Sequence, residues 1–376
     1  MERPLRSDSL ELVQRAKQVL GYGRHLARLA SPKNFRALLL TGQLPGSELA
    51  IKVLYLGHTA YTSPVTDYFF DGKYQLADLG PAPAFSQPSI RARLLEADTD
   101  AVVTTCLPGA KNRATGDYEM TTLRAVVRLP ETMEEFRTSL PRSLRWPVHS
   151  EFETELGSTP EDYAEFYERM LKPLMMERHG SRAYIVPLNH LLRQTDSSSL
   201  LFVKFQGRRL GGYLLRWPHM LGIHALPHGD KIGIVSEMNR DTKLLNKVNL
   251  AIYHSGYRLV WERGFRAVSL GIVSPILNNG LVRFKARWRA SFHAGSHDYD
   301  YYRHSLSFCS DKRHAILSCR HLVHVEDGQL VATVGVREAH PHDTQADEQQ
   351  KDGHIHNLAK LYRVHPDGRV EVRATG

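Results

Sequence analysis

The stretch TKLLNKVNLAIYHSGYRLVWERG, Thr242 to Gly264, constrains the fold most. Leu244, Val248, Ile252, Ser255 and Leu259 recur every three or four residues and draw one stripe along a helix. Gly264 supplies the left-handed residue such a helix needs at its end. FRAVSLGIV follows at once and reads as a buried strand. A long one-faced helix that hands over directly to a buried strand must bury its stripe on the sheet that strand joins. That selects a layered mixture of helix and sheet. A loop after such a strand is also a common place for a phosphate-bearing ligand.

Residues 1 to about 130 mix both element types. SLELVQRAKQVLGY places Ser9 as a cap before Leu10, Leu12, Val13 and Leu20 and predicts an amphipathic helix. AIKVLYLG, DAVVTTCL and TTLRAVVRL predict strands, DYFFDGKYQLADL a hairpin turning at Asp71-Gly72, and QPSIRARLLEA a helix. Met133, Phe136 and Leu140 predict a helix that Pro141 and Pro147 break up. In STPEDYAEFYERMLKPLMMERHG, Thr159 is placed to cap and Pro160 takes the first position. Glu161 and Asp162 match the positive helix end, and Gly180 follows the last turn. Tyr163, Phe166, Tyr167, Met170, Leu171 and Leu174 form its apolar face. SLLFVKFQGRRLGGYLLRW predicts a hairpin around Gly207, and HMLGIHALPHG a further strand. Near the C-terminus, hairpins turn at Asp327-Gly328 and Asp367-Gly368. The polar segment between them has no apolar period and reads as a mobile loop.

A chain of 376 residues fits two domains with an appendage. No apolar run approaches the roughly 20 residues of a membrane helix, and the N-terminus has no export-signal core. The 3 cysteines, with no CxxC pair, argue against a disulfide framework or a structural zinc site, so a cytoplasmic protein without a metal is expected. The net charge of +9 attracts polyanions: tRNA, other nucleic acids, phosphorylated cofactors or an acidic carrier protein. The same charge also serves plain solubility.

GLVRFKARWRAS, Gly280 to Ser291, concentrates that charge. As a strand it puts Arg283, Lys285, Arg287 and Arg289 on one face and Phe284 and Trp288 on the other. As a helix it gathers Leu281, Phe284 and Trp288, and like charges four apart then repel without a counterion. Either way an anionic partner is one explanation and a solvated basic face is the other. His340, His342, His354 and His356 form two HxH pairs, a conceivable metal-binding pattern, but they fall in the polar segment that reads as a mobile loop, so no metal is expected there.

LNKVNLAIYHSGYRLVWERGFRAVSLGIVSPILNNGLVRFKARWRAS resembles the closing half of a GNAT-type acyltransferase domain, in its FemAB-like branch. The carrying signature is Gly280, Leu281, Phe284, Lys285 and Trp288, and the resemblance runs over about residues 125 to 292. It implies an α/β (α+β) fold: a GNAT-type mixed sheet, splayed at its middle, with flanking helices. Two tandem GNAT-like domains are then expected: 1–130 a degenerate first copy, 131–300 the catalytic copy, and 301–376 a β-hairpin extension. The implied activity transfers an acyl or aminoacyl group to a small-molecule amine.

By the same resemblance Lys285 would stabilise the oxyanion and Phe284 would stack on the donor. Arg283, Arg287, Arg289 and Trp288 would hold the donor, the arginines at its phosphates. Tyr253, with His254, Tyr257 and Glu237, is a candidate proton relay. One departure bears on the donor. Acetyl-CoA-using relatives carry a glycine-rich loop before the long helix, whereas SEMNRDTKLLNKVNL has no glycine. Aminoacyl-tRNA is therefore the expected donor, as co-substrate and not as cofactor. An acyl-CoA or acyl-carrier-protein N-acyltransferase and a non-catalytic nucleic-acid-binding module are the alternatives, and the oligomeric state stays open.

Overall fold

A computed structural model describes residues 34–59, 62–70, 73–82, 98–106, 118–145, 151–180, 185–218, 226–295, 303–336, 355 and 357–374. The expected helices at Ser9 and over 87–97, the Asp71-Gly72 turn, Pro147 and both HxH pairs lie outside these residues. Among the described residues no helix is long and apolar enough to cross a membrane.

The described chain opens on a hairpin, β1 (Phe35–Gln43) and β2 (Ala50–His58). Helix α1 (Thr62–Phe70) follows, β3 (Tyr74–Pro81) returns to pair with β1, and β4 (Ala101–Cys106) runs parallel to β2. Next come β5 (Tyr118–Met120), β6 (Leu123–Arg128), α2 (Met133–Ser139) and β7 (Glu153–Gly157). A three-part helix consists of α3 (Pro160–Glu165), a π-helical stretch (Phe166–Leu171) and α4 (Lys172–His179). Then α5 (Leu188–Leu192) leads into β8 (Ser198–Phe205), β9 (Arg208–Arg216) and β10 (His228–Ile234). The long helix α6 (Thr242–Glu262), β11 (Ala267–Val273), α7 (Gly280–Arg287) and β12 (Ala290–Ala294) follow. The last elements are β13 (Arg303–Phe308), α8 (Arg313–Cys319), β14 (Leu322–Glu326), β15 (Gln329–Gly335), β16 (Lys360–Val364) and β17 (Val370–Ala374).

Two compact units result, one of residues 1–124, 272–286 and 292–376, the other of 125–271 and 287–291. The first holds a ten-stranded mixed sheet, ordered β17-β16-β15-β14-β5-β13-β4-β2-β1-β3. The C-terminal strands, expected as an extension, continue this sheet. Strand β13 pairs antiparallel with both β4 and β5, which satisfies an edge of each. A second difference is α1. The first arm of the hairpin expected over Asp67–Leu79 is a helix, because Tyr68, Phe69 and Phe70 are all buried with Tyr55, Leu306 and Ile316, while its second arm is strand β3. Burial of neighbouring side chains on every side outweighs their intrinsic strand preference.

The second unit is built on a seven-stranded mixed sheet, ordered β12-β6-β11-β10-β9-β8-β7. The adjacent glycines of RRLGGYLL explain how β9 is covered on both faces. A Cβ on Gly211 would sit 2.7 Å from Ile252 of α6, and one on Gly212 would sit 2.7 Å from Phe166 of the π-helical stretch. Helix α6 buries Val248, Ala251, Ile252, Tyr257 and Val260, with Leu244, Ser255 and Leu259 half-buried beside them. It closes as anticipated: Gly264 takes φ 84, its N–H donates to Trp261, and the Phe265 N–H reaches back to Val260. Helix α3 also starts as its sequence demands, with a reciprocal Thr159–Asp162 capping box and Pro160 in the first turn. The α+β architecture of two mixed sheets with flanking helices matches the sequence expectation.

Candidate functional site

The basic stretch is a helix that breaks into a strand. The Asn279 side chain accepts the Leu281 N–H at 2.8 Å and starts α7. Arg289, at φ 61, turns the chain into β12. The alternation of charge seen as a strand pattern therefore belongs to a helix over Gly280–Arg287.

The four cations separate by role. Lys285 is only 5% exposed, and its ammonium donates to the Ile272 carbonyl of β11 at 3.3 Å. Burial removes water from the charged form and lowers its pKa from 10.5 to about 8. Phe284 is half-buried and Arg283 exposed. Arg287 donates to the Ser143 hydroxyl at 2.8 Å and Arg289 to the Ser139 carbonyl at 2.9 Å. Those two arginines fasten the end of α2 and the turn after it.

Trp288, expected to hold the donor, is fully buried here. Tyr253 stacks on it with centroids 5.1 Å apart, and His254 and Tyr257 meet it edge-on at 5.1 and 5.3 Å. These residues are brought together as an aromatic core. Burial pushes the Tyr253 hydroxyl up to about 12 and the Tyr257 hydroxyl well above its usual value, so neither accepts a proton readily near neutrality. His254 Nε2 donates to the Leu144 carbonyl at 2.7 Å, inside the same core. Glu237 lies exposed on the short turn Ser236–Arg240.

The sheet itself carries the most informative feature. Strands β10 and β11 run parallel but pair at one position, His228 with Ser269, reinforced by the Ser269 N–H bonded to the Pro227 carbonyl at 2.8 Å. From there the two strands continue to Ile234 and Val273 without pairing to each other. β10 also carries a bulge between Gly229 and Lys231. Parted parallel strands leave backbone donors and acceptors facing an opening, and such groups require partners.

A cross-strand row marks the point of parting: Arg216 on β9, His228 on β10 and Ser269 on β11. His228 Nδ1 lies 3.3 Å from the fully buried Ser269 Oγ. Gly271 takes φ 78, and a Cβ there would come 3.3 Å from His228 Cε1. Arg216 is paired with Asp230 at 2.6 Å. Sequence reading put His228 near the end of an expected strand, HMLGIHALPHG, and gave it no role; the observed strand begins at His228 and runs to Ile234.

At the start of α6 the Asp241 carboxylate accepts the N–H groups of Lys243 and Leu244, both at 3.0 Å. The helix end where a pyrophosphate would bind is thus occupied by the protein's own negative charge.

No family model and no curated protein matches the chain. Among solved structures it is similar to FemX, at 12% identity over 72% of this chain and 84% of that one, with a TM-score of 0.38. It is also similar to a C-terminal domain ascribed to a lysylphosphatidylglycerol synthetase from Agrobacterium fabrum. That match has 11% identity over 75% of this chain and 84% of that one, with a TM-score of 0.37. A tandem GNAT protein from the clavulanic acid biosynthesis pathway aligns at 13% identity over 69% and 78% of the two chains, with a TM-score of 0.29. None of these likenesses carries an argument about the chemistry of this chain, which rests on its own residues.

Proposed function

We propose that the protein is an acyltransferase that forms an amide bond, moving an aminoacyl group from aminoacyl-tRNA to a small-molecule amine. The observation that carries the reading is the parting of β10 from β11 beyond the His228–Ser269 pair. It offers an extended acyl arm a run of backbone hydrogen-bonding groups, as strand addition does. The FemAB-like sequence pattern at Gly280, Leu281, Phe284 and Lys285 supports the same chemistry.

The transfer needs positioning, an oxyanion partner and a proton acceptor. The amine nitrogen attacks the ester carbonyl, the C–N bond forms, and negative charge develops on the carbonyl oxygen. By the sequence pattern alone, the Lys285 ammonium, removed from water, is assigned as the oxyanion partner. The C–O bond then breaks and the terminal ribose oxygen of the tRNA leaves with a proton. Phe284, half-buried beside Lys285 in the chain, provides the stacking surface for the donor. Two features favour tRNA over CoA: the net charge of +9, and the Asp241 cap that opposes a pyrophosphate at α6.

The test offers purified protein a tRNA pool charged with labelled amino acids and, separately, labelled acyl-CoA, each with a metabolite extract as acceptor. Discharge of one aminoacyl-tRNA, lost in folded Lys285→Ala protein, is the expected result. Discharge of acyl-CoA alone would replace the donor assignment. Full activity of Lys285→Ala would overturn the role of that residue.

A further inference from the structure

We propose that β17 is a self-association surface, by which two copies of this chain pair edge to edge as antiparallel strands about a two-fold axis at Val372; the inference is independent of the transfer reading above. Among the described residues β17 ends the ten-stranded sheet and pairs with β16 alone. Val370 and Val372 are 49% and 54% exposed and share one face of the strand with Ala374, while Glu371 and Arg373 lie on the other. An open edge with exposed valines is a template for another strand.

The backbone fixes which residues can pair. The β16–β17 hairpin closes with the His365 N–H donating to the Arg369 carbonyl at 2.9 Å. From there bonded and non-bonded positions alternate along the antiparallel ladder, so Arg363 with Glu371 and Leu361 with Arg373 are the bonded pairs. The N–H and C=O groups of Val370, Val372 and Ala374 therefore point away from β16, to the open edge. A second copy can bond only through these residues. The register that joins Val372 to Val372 of the second copy, and Val370 to its Ala374, uses all of them.

The charges select the same register. In it Glu371 stands opposite Arg373 of the second copy, and Arg373 opposite its Glu371, at non-bonded positions where side chains approach most closely. Sliding by two residues one way sets Glu371 against Glu371, and the other way Arg373 against Arg373. Like charges directly opposite destabilise a sheet. A two-fold contact uses the same patch on both copies, and this strand is complementary to itself. Within one chain Arg373 Nε donates to Glu371 Oε1 at 2.9 Å, while His365 and Arg363 stand 3.7 and 3.8 Å from Oε2. Oε2 can therefore take the arginine of the second copy. The opposite edge, β3, offers no such match: its single charged residue, Asp78, is held by Arg36 of β1.

The experiment measures the mass of the full chain by sedimentation equilibrium over micromolar concentrations. A species of twice the 42.7 kDa chain mass, growing with concentration, is the expected result. Glu371→Arg and Arg373→Glu each set like charges opposite one another and should raise the dissociation constant by about tenfold or more. Mixing the two variants restores unlike pairs, so the mixture should form a dimer with one chain of each, read by a tag on one of them. Val372→Pro removes an edge-facing N–H that β16 does not use and should also abolish pairing. Circular dichroism checks folding, and Glu371→Ala replaces a reversal that fails it. A chain that stays at 42.7 kDa throughout overturns the proposal, as does a dimer that folded reversals and Val372→Pro leave unchanged. A dimer that the reversals weaken and mixing does not restore overturns the two-fold register.

Discussion

Replacing Lys285 with methionine should stabilise the fold while it removes the chemistry. The lysine is 5% exposed, and burial lowers its pKa from 10.5 to about 8. In the unfolded chain it titrates near about 10.4. Below pH 8 both states carry the proton and the folded state bears the full cost of the buried charge. A gap of roughly 2.5 units corresponds to about 3 kcal/mol at 1.36 kcal/mol per unit. Losing the bond to the Ile272 carbonyl offsets about 1 kcal/mol, so Lys285→Met should gain about 2 kcal/mol at pH 7. Between pH 8 and about 10.5 the unfolded chain binds a proton that the folded chain does not. Wild-type stability therefore rises with pH in that window, and the advantage of the variant disappears. Urea denaturation of both proteins at pH 7 and pH 10, followed by circular dichroism, measures the difference. A variant less stable than wild type at pH 7, or an advantage that does not change with pH, would refute the reasoning.

Three further outcomes follow from the packing. Trp288→Ala should cost about 3–5 kcal/mol in thermal or chemical unfolding, because it empties a fully buried aromatic site; a near-neutral effect would return the indole to the surface. Gly256→Ala puts a Cβ 2.4 Å from the Tyr213 ring and should cost about 1–3 kcal/mol; an unchanged unfolding midpoint would mean α6 lies farther from β9. Asp162 is held at about 2, first by the Thr159 N–H and further by Ser158 and Arg209. Its folded pKa is depressed, so its contribution is present above about 3.9 and lost as pH falls through about 2. The stability difference between wild type and Asp162→Asn should therefore shrink from pH 5 to pH 2, and a constant difference would contradict the assignment.

Local signals were legible where one residue type does one job. Thr159 and Pro160 start α3, Gly264 ends α6, and Gly207, Gly328 and Gly368 turn their hairpins at positive φ. The double glycine of β9 was visible as a strand feature, but its cause, Ile252 on one face and Phe166 on the other, is tertiary. The same holds for α1, where three consecutive buried aromatics look like a strand until their packing is known. Strand β13 is local in composition, but its place between β4 and β5 is a long-range choice that no spacing encodes. Within the candidate site, Lys285 was singled out from its motif, but its burial against the Ile272 carbonyl is tertiary. The fates of Trp288, Arg287 and Arg289 were not legible, because charge and aromaticity say nothing about which face of a short helix turns inward. His228 was hidden for a different reason: its significance lies in where two strands stop pairing.

The central claim is that this chain moves an aminoacyl group from an ester to an amine, and the linkage itself reports it. Protein is incubated with labelled aminoacyl-tRNA and a metabolite extract, and the label is then followed through mild alkali. The account predicts that label passes from the base-labile tRNA ester into a base-stable amide product with wild type, and does not with folded Lys285→Met. Label that remains wholly in the base-labile ester, or is released only as free amino acid, would contradict it.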